Sequence, residues 1–586
     1  MKPLLRLKPY LIRYKRTLIY GVLTVVGSNI FTVLQPKFLG YAVDELKKGI
    51  ESNSLAGTDL FLWAVLIVGF SLIAGTFTFL TRQTIIVVSR HIEFDLRNDL
   101  LAHLQKLSFS YYQNKPTGDL MAHATNDIAS VRNVLGPGIM YPSDTLMTFT
   151  MVMTLMLAYD WKLTMFALIP MPVVSVAVYY LGKMINKKFT ERQEQFSKLT
   201  TRAQENLSGI RVIKSYVREE FEVGEFHKLS WEYLKKNLVL AQVQSIMWPL
   251  MFILVGFSLL ITMYAGGLRV IDGRMTIGTL TAFISYLTML IWPMIAFGWV
   301  MNILQQGAAS MGRLATIIDA EPEIRDNGQT NTSLSNVEGM IEFRNITFKH
   351  KQTTATVLKN INLSIPKGST LAVVGPTGSG KSTLVNLIPR LYETGEGALL
   401  VDGKDIRSFP IDVLRKSIGF VPQETFLFSD SIAENISYGA DSANGEHIAR
   451  AAELSQIAKD VKDFPKAFET MIGERGITLS GGQKQRTSIA RALIREPKIL
   501  ILDDALSSVD TYTEEEILRG LKAFMKDRTS IIISHRVSTV KHADQIVYLE
   551  NGEIVERGTH DELVALGGRY AALNEKQLLE QQLESM

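Results

Sequence analysis

The sequence predicts a membrane α-helical domain with six spans, followed by a soluble α/β domain. Three observations predict this. The first half holds six long apolar runs, the second half alternates strand-like and helix-like segments, and a glycine-rich loop follows an aliphatic run near its start. Hydrophobic residues make up 47% of the 586 residues and charged residues 20%, which suits a membrane part joined to a soluble part. A chain of this length is also too long for one core.

The six apolar runs each approach the roughly 20 residues that a helix needs to cross a bilayer. They lie at 17–39, 60–82, 139–159, 162–183, 246–268 and 277–300. Basic residues precede the first run, which predicts a cytoplasmic N-terminus, and an even number of spans then places the C-terminal half in the cytoplasm too. We therefore expect a multi-pass protein of the cell (inner) membrane. The basic residues are Lys2, Arg6, Lys8, Arg13, Lys15 and Arg16.

Two long polar segments, 83–138 and 184–245, fall on the predicted cytoplasmic side and are mostly helical in pattern. They predict long intracellular extensions of the spans, interrupted at 114–121 and 208–220. From the residues alone, these interruptions read as simple helix–loop–helix turns. The segment 319–339 is polar and rich in turn residues, so the predicted domains are 1–318 and 340–586 with a linker between them.

Composition excludes some classes of function. The formal net charge of +4 gives no indication of nucleic acid as a partner. The chain has no cysteine, which excludes disulfides and thiolate metal sites and leaves open whether that absence is native or engineered.

The stretch "LAVVGPTGSGKSTL" (371–384) reads as a strand, a glycine loop and the start of a helix, and it matches G-x-x-x-x-G-K-[ST]. Such glycines let backbone N–H groups turn inward around phosphate oxygens. The pattern predicts that Lys381 contacts the β- and γ-phosphates and that Ser382 coordinates Mg²⁺. The predicted ATP-binding loop residues are Gly375, Pro376, Thr377, Gly378, Ser379, Gly380, Lys381, Ser382 and Thr383.

A second aliphatic strand ends in two acids, in "ILILDDALSSVD" (499–510). Together with the phosphate loop, Asp503 is predicted to lie on the Mg²⁺ side of the nucleotide. Asp504 follows it, where a general base for ATP hydrolysis would be useful. The predicted cofactors are ATP and Mg²⁺.

Between the loop and the acids lies "LSGGQ" (479–483), which closely resembles the signature of ABC transporter ATPases. Other stretches follow in the order expected for that family. "FVPQETFLF" resembles the Q-loop with Gln423, "ALSSVD" the D-loop with Ser508 and Asp510, and "IIISHRVSTV" the switch region with His535. The whole layout resembles bacterial multidrug exporters of the half-transporter type.

The resemblance implies roles for particular residues. Gln423 would serve both catalysis and Mg²⁺ coordination, and the signature would contact the nucleotide held by a partner subunit. His350 stands where the family usually places an aromatic residue against adenine, and a surface histidine in a turn is the alternative. The interruptions become coupling helices. The signature residues are Leu479, Ser480, Gly481, Gly482 and Gln483, and the coupling residues are Thr117, Gly118, Asp119, Val212, Tyr216 and Glu474.

The family usually carries glutamate where this chain has Asp504. Aspartate is one methylene shorter, and a misplacement of ~1 Å can cost on the order of 10²-fold in rate. We therefore expect slow hydrolysis at this site and favour a heterodimer with a second half-transporter over a homodimer. The implied activity is ATP-driven export by alternating access, and an ATP-gated channel or regulatory protein is the alternative of another class.

The sequence indicates the substrate less clearly than it indicates the reaction. The family's default substrates are amphipathic drugs or lipids, so membrane lipids and hydrophobic small molecules are the expected partners besides the second subunit. Asp144 is a rare ionisable residue near a span. It either attracts cationic compounds or serves as a structural hydrogen-bond partner.

Overall fold

The computed structural model describes residues 2–51, 57–113, 115–350, 355–395, 397–473 and 479–584. These residues form two compact units. The first consists of 1–105 with 118–319, and the second of 106–117 with 320–586. Glu474, one of the predicted coupling residues, lies outside the described residues.

The described part of the first unit is helical. A 3₁₀ turn at Lys2–Leu7 opens it, and π turns at Arg82–Ile86 and His123–Asp127 interrupt otherwise continuous helices. The α-helices are Lys8–Arg13, Lys15–Glu51, Gly57–Thr81, Val87–Lys106, Thr117–Ala122, Ile128–Leu135, Pro137–Tyr159, Trp161–Leu168, Pro170–Ser208, Ile210–Ser215, Glu219–Ile271, Ile277–Met289 and Ile291–Ile318.

The six predicted apolar runs are helical, with breaks at Ile169 in the fourth and Leu290 in the sixth. Among the described residues, four helical stretches are long and apolar enough to cross a membrane by length and composition: Lys15–Glu51, Leu60–Lys106, Glu219–Ile271 and Ile277–Ile318. The third predicted run coincides with the helix Pro137–Tyr159. The fourth is divided at Ile169, because the next residue is Pro170, whose missing N–H and fixed φ suit the start of a new helix.

An ion pair between the buried Asp127 and the half-exposed Arg313 joins distant helices of the first unit. Asp127 accepts hydrogen bonds from Arg313 and is bonded to the His123 ring. Although burial opposes it, the hydrogen bonds from Arg313, His123 and Ser310 lower the pKa of Asp127 to about 2. This carboxylate therefore remains charged and paired with the cation supplied by its own chain.

Two sheets organise the second unit. The smaller one is antiparallel in the order β2-β1-β4-β5, and the larger one has the order β10-β9-β3-β8-β7-β6. In the larger sheet the five strands from β9 to β6 run parallel. The strands are β1 Ile341–Phe348, β2 Leu358–Ile365, β3 Thr370–Val374, β4 Leu399–Val401, β5 Lys404–Asp405, β6 Ile418–Val421, β7 Ile499–Asp503, β8 Thr529–Ile533, β9 Gln545–Glu550 and β10 Glu553–Gly558.

The central strands β3, β7 and β8 are buried on both faces, as expected for a parallel sheet covered on both sides. One face packs with β1 and β2, and the other packs with helices that include Thr511–Met525. Short 3₁₀ turns lie at Ile406–Ser408 and Ala467–Glu469. The α-helices of this unit are Phe109–Tyr112, Lys381–Asn386, Ile411–Lys416, Ile432–Ser437, Gly445–Leu454, Ala458–Val461, Gly481–Leu493, Thr511–Met525, Val537–Val540, His560–Leu566 and Arg569–Glu584.

The segment 106–117 packs with the second unit, although it belongs in sequence to the long extension after the second apolar run. The Ser108 hydroxyl accepts a hydrogen bond from the Ile324 N–H at 3.1 Å. Gln113 Nε2 donates to the hydroxyl oxygen of Tyr392 at 2.5 Å, and the Phe109 ring meets the Tyr392 ring edge-on at 5.9 Å. The interruption predicted at 114–121 therefore begins where the chain leaves the second unit.

Candidate nucleotide site

Four neighbouring parallel strands deliver the predicted catalytic and binding residues to one edge of the larger sheet. The glycine loop follows β3, Asp503 ends β7, His535 follows β8, and Gln423 follows β6. In open α/β sheets, ligands bind at the carboxyl ends of the strands. The fold therefore brings together residues that are up to 160 positions apart in the sequence, from Gly375 to His535.

Glycine is required at three positions of the loop. Gly375, Gly378 and Gly380 have φ angles of +147°, +81° and +102°, which side chains disfavour. A Cβ on Gly375 would also lie 2.1 Å from the Leu549 carbonyl oxygen, and one on Gly380 would lie 3.0 Å from the Val357 carbonyl oxygen. The loop is thus a backbone cradle of the kind that binds phosphate.

Lys381 lies inside this cradle and is only 7% exposed. Its ammonium group donates to the carbonyl oxygens of Gly375 at 2.9 Å and Pro376 at 2.8 Å. Burial lowers the pKa of Lys381, and the nearby Asp504 and Asp503 oppose that shift. The Ser379 hydroxyl is buried, and within the described part of the chain it has no hydrogen-bond partner. The cradle therefore holds a cation, Lys381, and an unpaired donor, the Ser379 hydroxyl. Such a pair is suited to binding an anion.

Asp503 and Ser382 form the candidate Mg²⁺ position. The Ser382 hydroxyl donates to Asp503 Oδ1 at 3.1 Å, and Asp503 is buried. Burial raises the pKa of Asp503, and the neighbouring Asp504 adds to the shift, whereas Ser382 and Lys381 oppose it. Among the described residues there is no group of three or more His, Cys, Asp or Glu that could hold a metal. Two protein oxygens suit Mg²⁺, which usually takes its other ligands from phosphates and water.

Asp504 lies near Gln423 and His535, the other two residues that the sequence predicts to be catalytic. Its Oδ2 lies 3.5 Å from Gln423 Nε2 and 3.5 Å from His535 Nε2. Its own N–H donates to the Ile533 carbonyl at 3.0 Å, which fixes the backbone against β8. Its φ of +50° lies in the left-handed region, where aspartate is among the better tolerated residues.

The signature is preorganised by its own chain. Ser480 caps the helix Gly481–Leu493 in a capping box, because its hydroxyl accepts from the Gln483 N–H and Gln483 Oε1 accepts from the Ser480 N–H. Gln483 Nε2 also donates to Asp460 at 2.9 Å. Leu479, just before the cap, is buried in a neighbouring cluster. The exposed Ser480 is thus left facing outward with a fixed orientation.

The D-loop residues lie directly against the signature glycines. A Cβ on Gly482 would come within 3.0 Å of the Ser508 carbonyl oxygen, and one on Gly481 within 3.2 Å of the Ser508 Cβ. The Ser508 N–H donates to Gln485 Oε1 at 2.9 Å. Asp510 caps the helix Thr511–Met525 by accepting from the Thr513 N–H. Signature and D-loop therefore form one packed surface.

His350 belongs to an aromatic cluster. Its ring meets the rings of Phe348 at 5.1 Å and Tyr392 at 4.9 Å, both at steep angles. Burial lowers the pKa of His350, which favours the neutral ring. With Gln113 and Ser110, these residues line a cavity of about 450 Å³. A role for His350 against adenine remains a prediction.

The described coupling residues lie in the first unit, apart from Thr117. Thr117, Gly118 and Asp119 form the first turn of the helix Thr117–Ala122. Val212 and Tyr216 lie at the second interruption, around the short helix Ile210–Ser215, and both are strongly exposed. Their role in coupling remains a prediction.

Asp144 has a neutral partner. Its Oδ1 accepts from Asn29 Nδ2 at 2.8 Å, and Thr148 in turn donates to Asn29 Oδ1. Asn29 also donates to the Val25 carbonyl, so this polar chain ties the helices Lys15–Glu51 and Pro137–Tyr159 together. The contacts favour the structural alternative for Asp144.

Several residues at this site were not found from the sequence. Tyr392 and Gln113 meet beside His350, Asp460 holds Gln483, and Gln577 contacts the switch segment. Each lies outside the recognised motifs and acts through a partner far away in the sequence, so local pattern carries no signal for it.

Comparison with known proteins agrees with this geometry. Residues 18–294 match the family described as ABC transporter transmembrane region, and residues 358–507 match the family described as ABC transporter. A relative in Bacillus subtilis (strain 168), "Probable multidrug resistance ABC transporter ATP-binding/permease protein YheI", is 38% identical over 98% of this chain and 96% of its own length.

A second relative, the "ATP-dependent lipid A-core flippase" of Desulfotalea psychrophila (strain LSv54 / DSM 12343), is 37% identical over 83% of this chain and 84% of its own length. A solved structure titled "Structure of a bacterial Atm1-family ABC exporter with ATP bound" is similar with a TM-score of 0.80 and 27% identity, covering 96% of this chain and 99% of that one. The chain therefore belongs to the ABC transporters, among the exporters that join a transmembrane region to an ATPase domain in one polypeptide.

Proposed function

We propose that the chain is one half of a heterodimeric exporter of amphipathic drugs or lipids, and that the nucleotide held by its own cradle is hydrolysed slowly. The observation that carries this proposal is that Asp504 stands where the family usually has glutamate. The proposed topology has the N-terminus and the ATPase domain in the cytoplasm. The names of the relatives, which include multidrug and lipid transporters, support these substrate classes.

The chemistry at Asp504 favours slow turnover. A general base must lie within about 2.6–3.2 Å of the water that it activates. The backbone of Asp504 is fixed by its hydrogen bond to β8, so a shorter side chain is not compensated by a shift of the main chain. Aspartate therefore holds its carboxylate farther from the nucleotide than glutamate would, by about one methylene.

Binding of the nucleotide does not require that carboxylate. Lys381 and the backbone of the loop would hold the phosphates, while Ser382, Asp503 and Gln423 would hold Mg²⁺. The ion would neutralise phosphate charge, and the residues of this chain orient the nucleotide. The Ser480–Gln483 segment would complete the nucleotide site of a partner subunit, because its cap and glycines are already in place. The two ATPase domains would close around ATP and separate after hydrolysis. This movement would switch the spans between inward and outward access.

A homodimeric exporter is the second candidate. The observation in its favour is the contact of both Gln423 and His535 with Asp504. A nucleotide site that had lost its hydrolytic activity would not need to keep that arrangement. In a homodimer both nucleotide sites would be identical and Asp504 would serve each of them.

The two candidates differ in their response to substitutions. The chain is purified with its candidate partner half-transporter, and ATP turnover is measured for Asp504→Asn and for Ser480→Ala. The heterodimer predicts that Asp504→Asn leaves turnover within about twofold and Ser480→Ala lowers it about tenfold or more, since only the second residue would serve the fast site. Equal, large losses for both variants favour the homodimer.

Transport is tested in sealed vesicles that contain the same complex. An exporter accumulates a fluorescent amphiphile against its gradient when ATP is added outside. Mere equilibration of the amphiphile would contradict export and favour an ATP-gated channel.

A further inference from the structure

The C-terminal helix, Arg569–Glu584, contacts the switch segment Ser534–Val537 through one amide side chain. Gln577 Oε1 accepts a hydrogen bond from the Val537 N–H at 2.7 Å. Gln577 Nε2 donates to the carbonyl oxygen of His535 at 2.5 Å. One side chain therefore bonds the backbone on both sides of Arg536, and a glutamine amide is suited to this because it has both a donor and an acceptor.

This contact matters because, among the described residues, few other contacts fix the His535 side chain. The imidazole is 45% exposed, and its Nε2 lies 3.5 Å from Asp504 Oδ2. A half-exposed ring takes its position mainly from its own backbone. The Gln577 amide holds the carbonyl of that same residue.

The rest of the switch is anchored from a different side. Arg536 donates to the buried Glu514, and Thr539 donates to the same carboxylate. Arg536 Nη1 also reaches the Val509 carbonyl at 3.2 Å, in the D-loop. These contacts hold the residues after His535, and they leave the His535 carbonyl to Gln577.

The C-terminal helix is itself well supported near its start. Tyr570 is fully buried, its hydroxyl is bonded to His560 Nδ1 at 2.8 Å, and its N–H donates to Glu556. Leu573 packs on the core beneath β9 and β3. Gln577 lies one turn beyond Leu573, so the helix presents its amide from a fixed base.

We propose that Gln577 is a positioning residue for ATP hydrolysis, through which the C-terminal helix sets the orientation of His535 at the end of the nucleotide next to Asp504. This inference rests on the proposed function, because it concerns the hydrolysis step at the same site. Loss of the amide would leave nucleotide binding intact and would lower turnover.

The first test does not depend on measuring ATP turnover. Amide hydrogen exchange is measured on peptides covering 534–540 in the full chain and in its Gln577→Ala variant, without nucleotide. We expect exchange at the Val537 amide to become at least tenfold faster, since its acceptor is removed. Unchanged exchange would overturn the proposal.

The second test separates turnover from binding. Gln577→Ala is compared with Glu580→Ala, an exposed position on the same helix that pairs with Lys576. We expect kcat to fall about tenfold with KM for ATP within twofold, and no loss for the control, because a misplaced group costs rate more than affinity. Gln577→Glu, which keeps the size and loses the donor to His535, should lose as much.

The third test asks whether the effect runs through His535. In a His535→Ala background, Gln577→Ala should cause no further fall in turnover, as expected for two residues acting as one unit. Additive losses, or a fall in thermal stability without a change in kcat, would show a structural role only and overturn the proposal.

These turnover measurements use the Asp504→Glu chain, which the proposed function expects to be faster, and wild type beside it. If Asp504→Glu is no faster than wild type, the slow-site proposal fails while the Gln577 comparison is still made on the wild type. If neither chain turns over ATP measurably, the hydrogen-exchange result decides the positioning proposal.

Discussion

Asp127 in the first unit and Asp503 in the second are both buried carboxylates, yet their surroundings differ in one respect. Asp127 is paired with Arg313 and His123, and its pKa falls to about 2 despite burial. Asp503 accepts a hydrogen bond from the neutral Ser382, and burial raises its pKa. The first acid has its cation within the chain. For the second, we propose that the cation arrives with the nucleotide.

This difference in physical environment is what we would expect between a structural acid and a functional one. Paired buried charges hold helices together, and breaking such a pair leaves an uncompensated charge. A buried acid without an ion partner reduces the stability of the protein until a ligand supplies one, and perturbed groups of this kind concentrate at functional sites.

The largest expected effect comes from removing the functional acid. Asp503→Asn should lower the Mg²⁺-dependent part of ATP affinity by at least about tenfold, because an amide is a poorer ligand for Mg²⁺. The same variant should melt at an equal or higher temperature without nucleotide, since a carboxylate of raised pKa costs stability when ionised. The measurements are ATP binding with and without Mg²⁺ and a thermal melt. A melt several degrees lower would mean that Asp503 is structural.

A smaller effect on ATP turnover is expected at the signature. The signature would bind a nucleotide without using an acidic side chain. In Gly482→Ala the new Cβ meets the Ser508 carbonyl at 3.0 Å, so the D-loop must shift by a few tenths of an ångström. Turnover of the complex with a partner should fall about tenfold, while ATP binding to the chain's own cradle stays within about twofold. Gly520→Ala, where the nearest atom is at an ordinary 3.6 Å, serves as the control. Equal losses in both variants would indicate a general effect of removing glycine.

The smallest effect is expected at the structural acid. Asp127→Asn should lower the melting temperature by about 2–4 °C at pH 7 and leave ATP binding unchanged. The folded pKa of about 2 lies below the ordinary 3.8, so the stabilisation is present above pH 4 and is lost as pH falls toward 2. Melts of both proteins across that window should therefore converge at the acid end. A constant difference would mean that the charge of Asp127 contributes nothing.

Much of the fold and of the candidate site could be predicted because the information is local. Apolar runs of fixed length predict the helices, and the glycine spacing predicts a cradle whose positive φ angles only glycine adopts easily. The pairing of Asp127 with Arg313 could not be predicted, since 186 residues separate them in the sequence. The same holds for Gln577 and for the packing of 106–117 with the second unit. The helix break at Ile169 within the fourth apolar run was also not predicted, although Pro170 follows it directly in the sequence.

The measurement that tests the central claim most directly is ATP turnover by the purified chain alone, in wild type, Asp504→Asn and Asp504→Glu. The account predicts slow turnover by wild type, little change in Asp504→Asn, and an increase on the order of 10- to 100-fold in Asp504→Glu, because glutamate restores the reach of the carboxylate. Fast turnover by the wild-type chain that Asp504→Asn abolishes would contradict the account and establish Asp504 as a competent base.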